Sequence, residues 1–206
     1  MKLALVREPD LEFADGGRHL DPRFGVLRYG PLDSNGMSEP RLIDVGMIGT
    51  HETIENLQDW LERCRDPIAG KPTRLRNLFP DFPGFASDTM FQAELVFDDR
   101  LNRPVTIRDF RACVRGSADT TRRNISNLIN GPSVLAEDQR PDTVILALPQ
   151  EIIERVEPAA PGEERADAGA RRRPQPIDFH DLIKARGMRY RVPLQMVNPE
   201  TYDATV

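Results

Sequence analysis

His180 and Lys184 stand four residues apart, the spacing that sets an imidazole and an ammonium side by side on one helix face. Gln195 follows on the apolar run from Pro193 to Val197, where its carboxamide can point back at that helix. The three types together suit a phosphate. Lys184 brings charge and Gln195 a neutral donor, while His180 brings either a donor or a flat ring on which a nucleobase can stack. A His and a Lys at this spacing also recur by chance on exposed helix faces. Gln195 sharpens the pattern, because an amide set among apolar neighbours on a buried strand needs a partner.

The chain of 206 residues carries a formal net charge of −5, which on its face disfavours a polyanionic partner. The distribution says more than the sum. Between Arg165 and Arg191 there are eight Lys or Arg against three Asp, so the region around the candidate anion site is locally basic. The Arg171 to Arg173 triplet read by itself is equally a solvated basic run in a loop.

Other chemistries find little footing in the sequence. There is no glycine-rich dinucleotide fingerprint, no G-x-x-x-x-G-K-[ST] loop and no serine in a G-x-S-x-G setting. His19, His51 and His180 lie far apart, and nothing singles out a pair of carboxylates for acid and base work. Cys64 and Cys113 lack Cys-x-x-Cys spacing and read as reduced thiols, one in a helix and one in a strand. No apolar run approaches a membrane span, and residues 1–20 carry charge throughout, so a soluble cytoplasmic protein is expected.

The elements that would position the trio can be read from periodicity. Residues 1–40 hold short apolar pieces broken by Gly and Pro, which predict short strands and turns, with a hairpin at Gly16-Gly17. From residue 41 the pattern becomes strand then helix: Ile43 to Thr50 is continuous and apolar, and Ile54, Leu57, Trp60, Leu61 and Cys64 recur at helical spacing. Leu78 to Phe85 forms a Pro-rich aromatic cover. Strands are predicted at Met90 to Phe97, Phe110 to Val114, Thr143 to Leu148 and Val192 to Val197, with helices at Asp119 to Asn130 and Asp178 to Tyr190. On the last helix Phe179, Leu182, Ile183 and Met188 are expected to be buried. Residues 158–176 read as a mobile loop. This alternation predicts an α/β fold, a mostly parallel sheet covered on both faces, whose site walls would be the loops after Leu148 and Val197.

Five blocks in this order, VREPDLEFADGGRHLDPRFGVLRYGPLD at Val6 to Asp33, IDVGMIGT at Ile43 to Thr50, LFPDFPGF at Leu78 to Phe85, DTVILALP at Asp142 to Pro149 and FHDLIKARGMRYRVPLQMVNPET at Phe179 to Thr201, span nearly the whole chain. Together they resemble prokaryotic Argonaute proteins. The resemblance implies a Rossmann-like MID domain at residues 41–206, preceded at residues 1–40 by a strand-rich segment that packs on a PIWI-like or partner domain. It implies that His180, Lys184 and Gln195 bind the 5′-phosphorylated end of a guide strand, RNA or DNA, with the backbone at Pro149 to Ile152 facing the first base and room for Mg2+ at the phosphate.

Met1 falls at the block that contains Glu8 and Pro9, which points to the short branch of that family, and Val206 falls where a PIWI domain should follow. Ala14 departs from the pattern, standing where the family commonly has Gly after the Phe. The resemblance therefore implies a non-catalytic guide-binding module in prokaryotic defence. Its partners would be a guide strand, a target nucleic acid and an APAZ-containing effector of TIR, sirtuin-like or nuclease type. Two other classes fit the α/β pattern: a sensor of a small phosphorylated ligand, or a structural subunit of a hetero-complex.

Overall fold

The computed structural model describes residues 8–34, 39–70, 72–74, 78–129, 140–156 and 179–202. The predicted loop at 158–176 lies outside the described residues, as do Arg165 and Arg171 to Arg173. Two compact units divide the chain, one of Met1–Ile43 with Leu61–Leu95, the other of Asp44–Trp60 with Val96–Val206.

In the first unit, β1 (Leu11–Glu12) and β2 (Arg18–His19) pair antiparallel, which makes the expected hairpin around Gly16-Gly17. A helix follows, α1 (Pro22–Tyr29), where the sequence reading has only strands and turns. Its start is local chemistry. The Asp21 carboxylate accepts from the Arg23 N–H, and Pro22 occupies a first-turn position where its missing N–H costs nothing. Hydrogen bonding to the Arg23 guanidinium holds the Asp21 carboxyl down at about 2, so the cap stays charged far into acid. The Pro-rich stretch closes on itself through Ile68 and Phe82, whose backbone bonds measure 2.9 and 2.8 Å, and the rings of Phe82 and Phe85 gather on Phe91.

The sheet has five strands: β3 (Arg41–Gly49), β4 (Ala93–Phe97), β5 (Arg103–Pro104), β6 (Thr143–Ala147) and β7 (Leu194–Met196). Its order is β4-β3-β6-β7, with β5 also on β3; the pairs β3–β5, β3–β6 and β6–β7 are parallel. The fold is therefore the expected α/β one, a mostly parallel sheet flanked by helices and consistent with a Rossmann-like arrangement. Parallel strands need helical crossovers, which here are α2 (His51–Arg63), α3 (Ile107–Cys113), α4 (Ala118–Ile129), α5 (Gln150–Val156) and α6 (Phe179–Tyr190), with α7 (Pro199–Tyr202) after β7.

Alternation along the strands divides the core of the second unit. Ile48, Val144 and Leu146 pack with Phe110, Ile125, Ile129, Ile153, Phe179 and Ile183 from α3 to α6, while Val45 and Met47 point the other way and are as fully buried. The expected strand from Phe110 to Val114 is instead the end of helix α3, with Val114 as its C-cap. Thr106 caps it, its hydroxyl accepting from the Asp109 N–H at 3.2 Å and donating to the Asp109 carboxylate at 2.8 Å, and Phe110 becomes a core anchor.

The end of β3 is tied to β6 through Thr53, whose hydroxyl donates to the Ala147 carbonyl at 2.7 Å. A β-carbon on Gly49 would come within 2.5 Å of both that carbonyl and the Thr53 hydroxyl oxygen. Gly49→Ala is expected to cost about 1–3 kcal/mol through strand displacement. Urea unfolding measures it, and a loss below about 0.5 kcal/mol would show that the two strands separate without strain.

Candidate functional site

Helix α6 turns Phe179 and Ile183, four residues apart, into the core, where they are 1% and 2% exposed. His180 and Lys184 follow one position round the helix, so they share a flank as expected; His180 is half-buried and Lys184 exposed. Met188 is a correction. It is 81% exposed, not buried with Phe179, because nine residues at 3.6 per turn bring it about half a turn round from that anchor.

The helix ends at Tyr190, and Arg191 takes φ 56, its N–H donating to the Met188 carbonyl at 3.3 Å. Val192 then enters the core and the Pro193 carbonyl accepts from Val144 N–H at 2.9 Å, which fixes the start of β7. Leu194 and Met196 pack against the core, and Gln195 between them is exposed. Water can therefore solvate the Gln195 amide, and the partner that the sequence pattern calls for is not a structural requirement.

These residues border an open cleft of about 640 Å³, lined by Lys184 and Met188 of α6, by Arg191 to Pro193 of the connection, and by Leu194 and Gln195 of β7. Two of the three sequence-selected residues, Lys184 and Gln195, are brought to one cleft. His180 is not among its described lining, nor are the loops after Leu148 and Val197. The Pro149 carbonyl instead accepts from the N–H groups of Ile152 and Ile153 as α5 begins. Sequence reasoning missed Met188 and Arg191 as lining residues. A count of helical angle places Met188 correctly, whereas Arg191 depends on a backbone turn that periodicity does not register.

The charge of the cleft is one-sided. Its described lining holds no carboxylate, and the ion pairs among the described residues engage Arg18, Arg23, Arg41, Arg100 and Arg111 but neither Lys184 nor Arg191. Two cations and a carboxamide beside the apolar surfaces of Met188, Val192, Pro193 and Leu194 suit a ligand with an anionic end and a flat apolar part. Burial pushes the thiols of Cys64 and Cys113 upward, which makes both poor nucleophiles at neutral pH. Among the described residues no group of three or more His, Cys, Asp or Glu could hold a metal ion, and no helix is long and apolar enough to cross a membrane.

Comparison with models of known protein families finds none that matches this chain, and comparison with curated proteins finds no match.

Proposed function

We propose that this chain is a nucleic-acid-binding module that anchors the 5′-phosphorylated end of a guide strand, as the resemblance of its sequence blocks to the MID domain of short prokaryotic Argonautes implies. One observation supports the reading most: Lys184 and Gln195, selected by residue type and spacing, line the same cleft, with Arg191 beside them and no carboxylate in its described lining. On this reading the terminal phosphate binds Lys184 and Gln195, and the first base lies against His180, one turn away on the same helix flank. A Mg2+ ion could accompany the phosphate. Target strand, APAZ-bearing effector and cytoplasmic location belong to the same proposal, and any chemistry on the target would come from a partner.

Fluorescence anisotropy with one oligonucleotide sequence, 5′-phosphorylated or 5′-hydroxyl, tests the reading. A clear preference for the phosphorylated strand supports it, and equal affinities contradict it. The volume of the cleft also suits a small phosphorylated ligand. Efficient displacement of the bound strand by a mononucleotide would favour that sensor reading.

His180 is tested separately. His180→Ala should weaken the phosphorylated and hydroxyl strands alike by about 1–3 kcal/mol, the worth of one stacked base, and His180→Phe should restore the loss. Failure of the aromatic replacement to restore binding would remove stacking from the account.

A further inference from the structure

Arg191 is the residue of the cleft that its backbone least favours. At φ 56 it occupies the left-handed region directly after α6, where a β-carbon is strained and Gly is the usual occupant. The turn is held from both sides, by the bond from its N–H to the Met188 carbonyl and by Val192, which is 5% exposed in the core. Its side chain therefore leaves the rim from a fixed point. It is exposed, it lines the cleft with Lys184 and Gln195, and among the described residues it has no ion-pair partner. A cation here also complements the C-terminal end of the helix dipole, yet any position in the last turn could do that without strain. Backbone strain on the rim of a cleft points to use.

We propose that Arg191 is a second anchor, holding the internucleotide phosphate that follows the terminal one, so that the cleft recognises a strand and not a mononucleotide. The planar guanidinium suits a phosphodiester, whose two free oxygens it can meet with paired N–H groups. The inference rests on the guide-end reading above. It divides the labour: Lys184 and Gln195 read the end of the strand, and Arg191 reads its continuation.

Two variants of the full chain test it. Arg191→Gly removes the charge and relieves the strain; Arg191→Gln removes the charge and keeps the strain. Both are titrated with matched 5′-phosphorylated and 5′-hydroxyl single strands over a series of NaCl concentrations. Affinity for both strands should fall by the same factor, about tenfold, the preference for the phosphorylated end should persist, and the slope of log K against log[salt] should shrink by about 0.7. The glycine variant should melt no lower than the parent. Unchanged affinity and slope in the variants would overturn the inference, as would loss of the end preference, which would place Arg191 on the terminal phosphate. Indifference of the parent chain to the strand end is a different result and removes the guide-end reading itself.

Discussion

Lys184→Ala is expected to lower affinity for a 5′-phosphorylated strand roughly 10- to 100-fold and to leave affinity for the 5′-hydroxyl strand nearly unchanged. The magnitude follows from the bond removed. A charge-assisted hydrogen bond between an ammonium and a phosphate is worth about 1.5–3 kcal/mol, well above a neutral pair. Because Lys184 is exposed and engages none of the ion pairs among the described residues, its removal leaves no buried group unsatisfied. Stability should therefore hold to within about 0.5 kcal/mol, as for other surface substitutions, and the loss would belong to binding alone. Anisotropy titration together with thermal melting separates the two. A variant that binds both strands like the parent would remove Lys184 from the site.

Phe110→Ala should have the largest effect on the fold, a loss of about 3–5 kcal/mol, which is a large share of the stability of an ordinary domain. Phe110 is fully buried in α3 and packs in one cluster with Ile125 and Ile129 of α4 and Val144 and Leu146 of β6. Truncation leaves a cavity where helices and sheet meet. Urea titration should show a lower midpoint at similar slope, and the melting temperature should fall by roughly 6–20 °C. Arg108→Ala, on the exposed side of the same helix, is the control and should shift stability by less than about 0.5 kcal/mol. Equal effects of the two changes would contradict the packing of α3.

That helix also shows where the sequence was hard to read. Phe110, Cys113 and Val114 form too short an apolar series to separate strand from helix by periodicity. The decisive signal was polar: Thr106 and Asp109 three apart, whose side chain and backbone close the first turn. Asp21-Pro22 ahead of α1 is the same kind of signal, a cap at the start of a helix whose apolar residues are few. By contrast β3 and α2 were plain, since a continuous run from Ile43 to Thr50 and the spacing of Ile54, Leu57 and Leu61 each allow one element type. Lys184 was legible because helix spacing and residue type carry the argument without long-range structure. Arg191 was not. Its place on the cleft follows only when the end of α6 and the start of β7 are both fixed and the first of the three residues between them takes the left-handed region.

The central claim is that the cleft between α6 and β7 receives a phosphorylated strand end. Amide NMR of the 15N-labelled chain, titrated with a 5′-phosphorylated oligonucleotide and then with its 5′-hydroxyl counterpart, tests this most directly. The account predicts that the side-chain amide of Gln195 shifts strongly with the phosphorylated strand and much less with the hydroxyl one, whereas the backbone amides of Arg191 and Val192 shift with both. Shifts that gather elsewhere on the chain, with Gln195 and Arg191 unmoved, would contradict it.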